Sequence, residues 1–138
     1  MFRKSEYFLF DILISILKIE EYIKDFQNAE ELKFDPKSWD ATIRELEIIG
    51  EAIKNLIKLN VCNEKKREIV DFRNIIVHHY FGIDEEIVWD ILTNHLHNLK
   101  INILAKINNL KNRKELFDLF IEDNKNINFL KERLKELQ

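Results

Sequence analysis

Glycine and proline are almost absent from this chain, which holds two glycines and one proline in 138 residues. Tight turns depend on these residues, so a sheet protein with many turns would lack its turn material. Hydrophobic residues make up 46% of the chain, which is ample for a core of its own. We therefore predict an all-α fold, an antiparallel up-and-down helical bundle with few, long helices.

Charge and cysteine content narrow the class of protein. The formal net charge is -3, with 34% charged residues of mixed sign. No global basic field is present to hold long nucleic acid, so any nucleic-acid contact must be local. The single cysteine excludes an internal disulfide. Without a signal-like start or a long uncharged apolar span, we expect a soluble cytoplasmic protein with no membrane contact.

Apolar residues recur at three- and four-residue steps, which predicts helices over 2–26, 35–60, a third from about 63, and a fourth over 84–111. Asp35 and Pro36 form a start signal for the second helix, because proline is tolerated in a first turn. Residues 112–138 show two short amphipathic stretches. We predict a helical bundle over 1–111 and a C-terminal helical extension over 112–138, which packs on the bundle or on a partner.

The first predicted helix is apolar over too wide an arc for one buried face. Leu9, Phe10, Ile14 and Leu17 lie outside its main apolar stripe. This helix is therefore either central in the bundle or covered on a second side by a partner. We expect a homodimer that uses the surplus apolar side and brings two copies of the third helix together.

The most unusual chemistry of the chain lies in residues 71–84. Arg73, Asn74, His78, His79 and Tyr80 are set within an apolar run. On a helix, Asn74 and His78 share a face, whereas Arg73 and His78 are offset by about 140°. One helix alone cannot easily aim both groups at one small ligand. A second copy, brought in by two-fold symmetry, would supply the missing side of a site.

Two residues mark the end of this segment. Gly82 suits the left-handed residue just past a helix, and Asp84 suits the N-cap of the next helix. His78 and Tyr80 are thus predicted in a final helical turn, where the helix dipole favours an imidazolium.

The four histidines invite a metal hypothesis. His78 and His79 are adjacent, and His95 and His97 alternate, so neither pair has the one-turn spacing that places two ligands on one face. His95 lies on the apolar stripe of the fourth helix and is interpreted as a core or interface histidine, and His97 points away. We expect no metal and no cofactor.

Two charged clusters have alternative interpretations. Glu47 and Glu51 are one helical turn apart and could hold a divalent ion. More usually, such a pair forms a solvated face or pairs with a nearby arginine such as Arg44. The basic cluster Lys65, Lys66 and Arg67 begins the third helix. It is either a solvated run or a set of contacts to RNA phosphate.

A histidine with an arginine suffices for RNA cleavage without metal, because RNA carries its own nucleophile, the 2′-hydroxyl. His78 would exchange protons with the 2′-hydroxyl or the leaving oxygen, and Arg73 would stabilise the charged transition state. From residue types alone, the alternative that Arg73 and His78 only bridge helices stays open.

Three segments resemble one known family. Residues 73–80 (RNIIVHHY) resemble the motif of the HEPN ribonucleases, in the HepT-like form with a tyrosine two positions after the histidine. Residues 44–52 (RELEIIGEA) are similar to the second-helix signature of that family. Residues 80–84 (YFGID), with Val88 and Trp89, are similar to its third-to-fourth joint. The resemblance covers about residues 5–110.

The resemblance implies a bundle that dimerises so that two Arg/His motifs line one cleft of a metal-independent endoribonuclease toxin. It makes Arg73 and His78 catalytic and Asn74 a supporting residue. It also implies a minimal nucleotidyltransferase antitoxin as partner, which silences the toxin by transferring AMP to Tyr80. The alternative within the family is a non-catalytic HEPN module that binds nucleotide or docks substrate for a nucleotidyltransferase. An intact Arg73/His78 pair favours the nuclease.

Overall fold

The computed structural model describes residues 4–61, 73–74 and 84–138. The helices within these ranges are α1 (Ser5–Ile23), α2 (Ala29–Lys33), α3 (Pro36–Lys58), α4 (Glu85–Asp90), a π-helical turn (Ile91–His95), α5 (Leu96–Asn108), α6 (Arg113–Asp123) and α7 (Asn128–Leu137). No residue in these ranges is in a β-strand. The predicted all-α helical bundle is confirmed.

Helices α1 and α3 form a long antiparallel pair, and α3 begins and ends as its local sequence dictates. Asp35 caps α3 by accepting a hydrogen bond from the backbone N–H of Ser38 at 3.4 Å, with Pro36 in the first turn. Just beyond α3, Asn60 has φ of 60°, a left-handed conformation that asparagine tolerates well. These local signals account for the agreement with the predicted second helix.

The short helix α2 was not predicted, although its capping signal is present in the sequence. Asn28 Oδ1 accepts a hydrogen bond from the backbone N–H of Glu31 at 2.9 Å. The Glu31 carboxylate in turn accepts one from the backbone N–H of Gln27 at 3.4 Å. This reciprocal arrangement resembles a capping box and stabilises a single extra turn between α1 and α3.

The predicted fourth helix begins at its expected cap. Asp84 Oδ1 accepts hydrogen bonds from the backbone N–H groups of Glu86 at 2.8 Å and Ile87 at 3.4 Å. The helical run then passes through the π-helical turn before continuing as α5, a change of geometry that no local sequence signal predicted. The run ends at Asn108, close to the predicted boundary.

Helix α1 is central in the bundle. Of the four residues outside its main stripe, Leu9, Phe10 and Leu17 are buried, and Ile14 is partly buried. The C-terminal helix α6 covers Phe10 directly, with ring centroids 5.0 Å from Phe117 and 4.8 Å from Phe120. The chain thus covers its own surplus apolar side. The expectation that a dimer interface uses this side is wrong.

Polar contacts also join the C-terminal helices to the bundle. Asn112 Nδ2 donates to Glu6 Oε1 at 3.3 Å, and Arg133 Nη2 donates to Glu20 Oε1 at 2.7 Å. Residues 112–138 therefore pack on the bundle, while their division from 1–111 as a separate unit stays a prediction. In the part of the chain that the structure describes, no helix is long and apolar enough to span a bilayer.

Candidate functional site

Arg73 and Asn74 are the two predicted site residues that fall in the described ranges. Both are helical and half-buried, and Arg73 Nη1 donates a hydrogen bond to Asn74 Oδ1 at 3.4 Å. The Nε of Arg73 is buried and has no hydrogen-bond partner among residues 4–61, 73–74 and 84–138. Across the same residues, no carboxylate forms an ion pair with Arg73. A permanently charged guanidinium held in this way suits an anion such as phosphate.

The other predicted site residues lie outside the described residues. They are His78, proposed as the acid-base group, its neighbour His79, the modification target Tyr80 and the basic cluster Lys65, Lys66 and Arg67. The predicted helix end at Gly82 lies there too. Their roles stay predictions, as does the approach of His78 to Arg73.

The antiparallel pairing of α1 with α3 creates an open cleft of about 400 Å³. Phe8 and Asp11 line it from α1. Six residues line it from α3, namely Arg44, Glu47, Ile48, Glu51, Ala52 and Asn55. The lining thus combines four charged residues with the apolar residues Phe8, Ile48 and Ala52. Sequence reasoning singled out Arg44, Glu47 and Glu51 from helical spacing, but it missed Asp11 and Asn55, which join the cleft only through the packing of two helices.

The charged groups that α3 contributes to the cleft are only partly paired in the described ranges. Arg44 Nη1 lies 3.2 Å from Glu47 Oε2, so the predicted pairing of Glu47 with Arg44 is confirmed. The side chain of Arg44 is 69% exposed, which makes this contact weak. Glu51 is exposed and makes no ion pair within the described ranges. Nowhere in those ranges do three potential metal ligands come together.

His95, the last residue of the π-helical turn, and His97, two residues beyond it, lie at the surface. His95 Nε2 is 3.4 Å from Asp90 Oδ2, and the His95 side chain is 40% exposed. His95 is therefore at the rim of the core rather than within it, so the predicted core position is wrong, while the predicted alternative of an interface position stays a prediction. Asn94 donates a hydrogen bond to Asp90 at 2.6 Å, and this bond, together with nearby His95, lowers the pKa of the Asp90 carboxyl. His97 is exposed, as predicted.

A buried polar cluster lies between α1 and α3, beyond the cleft. Ser15 Oγ donates a hydrogen bond to Glu45 Oε1 at 3.0 Å, and both residues are buried. Thr42 is fully buried, and its Oγ1 finds no partner among the described residues. Burial, and then the charge of Glu45, raise the pKa of the Tyr22 phenol above its usual value. Sequence patterning did not single out this cluster, because its burial depends on how the two helices pair.

Comparison with known proteins identifies a ribonuclease family and relatives that are named as ribonucleases. A family model described as ribonuclease HepT-like matches residues 12–107. A protein of Methanocaldococcus jannaschii named as an inferred RNase is 40% identical over 94 residues, which cover 66% of this chain and 77% of that protein. A protein of Thermococcus cleftensis named as a probable ribonuclease HepT is 34% identical over 108 residues, 72% of this chain and 93% of its own length.

A longer relative has a second named activity. A protein of Methanocaldococcus jannaschii, named as a gamma-glutamylcyclotransferase and inferred RNase, is 36% identical over 125 residues. The match covers 87% of this chain but 55% of that relative. No solved structure matches this chain.

Proposed function

Because the chain belongs to the HepT-like ribonuclease family, we propose that it is a metal-independent endoribonuclease and the toxin of a toxin-antitoxin pair. The observation that carries the proposal is the family match over residues 12–107, a range that contains both Arg73 and His78. The relatives named as ribonucleases give further support to the nuclease part of this proposal. The half-buried Arg73, with no carboxylate partner in the described ranges, supports a role for this residue in binding phosphate.

The proposed reaction is attack of the RNA 2′-hydroxyl oxygen on the adjacent phosphorus. The new 2′-O–P bond forms as the P–O5′ bond breaks, which leaves a 2′,3′-cyclic phosphate and a 5′-hydroxyl. His78 accepts the proton of the 2′-hydroxyl or donates a proton to the departing O5′, and such help is worth about 10²–10⁴-fold. Arg73 stabilises the charge on the phosphoryl oxygens, and Asn74, which accepts a hydrogen bond from Arg73, holds the guanidinium in place.

The proposed site is composite. On one helix, Arg73 and His78 point about 140° apart, so one copy does not easily aim both at a single phosphate. A homodimer would offer the Arg73 of one subunit and the His78 of the other to the same RNA. Lys65, Lys66 and Arg67 would contact flanking phosphates and set the register of the strand.

The proposed regulation uses Tyr80 and a minimal nucleotidyltransferase antitoxin. Transfer of AMP to the Tyr80 hydroxyl would place a bulky anion beside His78. That anion would block the approach of substrate by volume and oppose the RNA phosphate by like charge. The second candidate function is a non-catalytic module that binds nucleotide or docks substrate for a nucleotidyltransferase, but such a module has no chemical need for an Arg73/His78 pair.

Cleavage of a labelled RNA in the presence of EDTA tests the nuclease proposal. We expect cutting to survive the chelator and to be lost in Arg73→Ala and in His78→Ala, with helicity retained in both. His79→Ala should be milder, since adjacent residues face about 100° apart on a helix. The matched control is His97→Ala, a substitution at an exposed histidine, which should cut like the parent.

Two results would overturn the proposal. Loss of cutting in EDTA, with recovery on addition of a divalent ion, would show that the reaction needs metal. Full activity in both Arg73→Ala and His78→Ala would show that neither side chain takes part in RNA cleavage.

A further inference from the structure

Acidic residues are absent from one long stretch of this chain. Between Asp90 and Glu115 there is no aspartate or glutamate, although the formal net charge of the whole chain is -3. Helix α5 and its joint with α6, residues 109–112, lie within this stretch. The stretch also contains five cations, namely Lys100, Lys106, Lys111, Arg113 and Lys114. A chain without a global basic field therefore has a local region that suits a polyanion.

Two of these cations, at the joint of α5 with α6, have no carboxylate partner. Lys100 and Lys114 each pair with a carboxylate at 3.0 Å. Lys111 and Arg113 form no ion pair within the described ranges. Lys111 is exposed and Arg113 is half-buried. We call these two residues the basic joint.

Neutral groups hold the Arg113 guanidinium in place. Its Nε donates a hydrogen bond to Asn108 Oδ1 at 2.8 Å, and its Nη2 donates one to the backbone oxygen of Leu137 at 2.8 Å. Its Cζ lies 4.7 Å from the centroid of the Phe117 ring. A guanidinium has five N–H groups and stays charged, so these two bonds leave three N–H groups for another acceptor. An oriented fork of this kind suits a phosphate.

Two carboxylates border the basic joint. Asp118 is balanced by Lys114 at 3.0 Å, and Glu6 accepts a hydrogen bond from Asn112 at 3.3 Å. Neither carboxylate forms an ion pair with Lys111 or Arg113. Both cations of the basic joint thus remain open to an anion from outside the chain.

Helix α5, which leads to the basic joint, contacts the chain where the predicted catalytic segment begins. Lys106 Nζ donates a hydrogen bond to the backbone oxygen of Val61 at 3.3 Å, and Val61 is the last described residue before that segment. Lys111 follows five residues later. The family model ends at residue 107, so the family match does not imply a site at the joint.

We propose that the basic joint is a second phosphate-binding site, at which Lys111 and Arg113 hold the RNA substrate away from the bond that is cleaved. This inference rests on the proposed function, because it takes RNA as the ligand. Arg113 would bind one phosphate through its open N–H groups, and Lys111 would bind a neighbouring phosphate as a point charge. Such contacts position the strand and add affinity without reading its sequence.

Fluorescence anisotropy with a single-stranded RNA oligonucleotide whose 2′-hydroxyls are methylated tests the site. This probe carries phosphates but no nucleophile, so it stays intact whether or not the protein is a nuclease. We expect Lys111→Ala and Arg113→Gln each to raise the Kd about five-fold at 0.1 M salt. Each should also reduce the salt slope of log Kd by about 0.7, since each removes one contact to a single-stranded phosphate.

The matched control is Lys37→Ala, which removes an exposed lysine of α3 that has no ion pair within the described ranges. It should bind the oligonucleotide like the parent. Arg113→Lys keeps the charge and should keep the salt slope. Circular dichroism verifies the fold of each variant, and the exposed Lys111 carries the test alone if Arg113→Gln does not fold.

Three results would overturn the second site. The first is a parent that does not bind the oligonucleotide. The second is a folded Lys111→Ala with the Kd and the salt slope of the parent. The third is an equal loss of affinity in Lys37→Ala, which would show that the total charge of the protein matters rather than the basic joint.

Steady-state cleavage of unmodified RNA by the same proteins separates this inference from the proposed function. Lys111→Ala should raise KM with little change in kcat, because it removes a contact made equally before and in the transition state. If the parent binds the oligonucleotide through the basic joint but cuts no RNA, the second site stands and the nuclease proposal fails. If the parent cuts RNA and Lys111→Ala binds and cuts like it, the nuclease stands and the second site is wrong.

Discussion

Glu20 of α1 and Arg133 of α7 form an ion pair at 2.7 Å, which joins the first long helix of the chain to its last. Lys100 of α5 contacts the same carboxylate at 3.0 Å, and the three side chains are only 15% to 32% exposed. One carboxylate thus serves two cations from two different helices. Its removal leaves both cations partly buried without this partner.

We predict that Glu20→Ala lowers the free energy of unfolding by about 2 kcal/mol, because charge-assisted hydrogen bonds to two cations are lost. The matched control is Glu21→Ala, which removes only an ion pair with Lys24 at the surface, at 2.6 Å. That control should cost less than about 0.5 kcal/mol. Urea denaturation followed by circular dichroism measures both, and equal losses in the two variants would contradict the prediction.

Phe10 provides a test of how firmly the C-terminal helices hold the bundle. Phe10→Ala should lower the free energy of unfolding by about 3–5 kcal/mol, because its ring packs against both Phe117 and Phe120. Phe34→Ala should change it by less than about 0.5 kcal/mol, since Phe34 is 77% exposed. If Phe10→Ala fails to fold, Phe10→Leu should still give a measurable, smaller loss. A near-neutral Phe10→Ala would mean that α6 does not cover this residue in solution.

We predict that ionisation of Tyr22 lowers the stability of the folded protein in alkali. Burial, and then the charge of Glu45, raise the pKa of the Tyr22 phenol above 10.0, so the folded state keeps the proton to a higher pH than the unfolded state does. The contribution of Tyr22 to stability is therefore complete below about pH 10 and declines as pH rises through the folded-state pKa. The unfolded chain releases the proton first, and this release favours unfolding.

The measurement is the free energy of unfolding of the parent and of Tyr22→Phe on both sides of pH 10.0, since phenylalanine has no proton to lose. The parent should lose more stability than Tyr22→Phe over this range. Lysines and arginines titrate alike in both proteins, so only the difference reports Tyr22. Glu45→Gln should narrow the gap, and parallel curves for the parent and Tyr22→Phe would refute the assignment.

The proposed regulation predicts a change in mass. After co-expression with a cognate minimal nucleotidyltransferase, the intact protein should carry one or more AMP increments that vanish in Tyr80→Phe, because only the tyrosine offers a phenolic oxygen there. RNA cleavage by Tyr80→Phe should then persist despite active transferase. The control is expression of the parent without the transferase, which should leave the protein unmodified. An increment that survives in Tyr80→Phe would place the modification on another residue.

Local signals in the sequence predicted the helices well. Asp35 with Pro36 predicted one helix start and Asp84 another, and both aspartates act as caps in the structure. Asn28 with Glu31 carried a similar signal for α2, but five residues give too short a periodic pattern to stand out. The π-helical turn was not predicted, since no residue type in Ile91–His95 distinguishes a π-helical turn from an α-helix.

Long-range packing was less predictable. The amphipathic pattern of 112–138 indicated helices but left their position open between the bundle and a partner. Contacts such as those of Phe10 with Phe117 and Phe120 place them on the bundle. For the candidate site, residue types identified Arg73 and Asn74. The cleft of Asp11 and Glu51 was not predicted, because it requires knowledge that α1 and α3 run antiparallel in this register.

The position of the C-terminal helices has a consequence for the newly made chain on the ribosome. Glu6 and Asn112, which bond across the junction of α1 and α6, are 106 residues apart in sequence. At a synthesis rate of about 5–20 residues per second, roughly 5–20 s pass between the appearance of the first and of the second. During that interval the Phe10 side of α1 is made but not covered. We therefore expect nascent chains of this protein to bind chaperones until their last helices emerge.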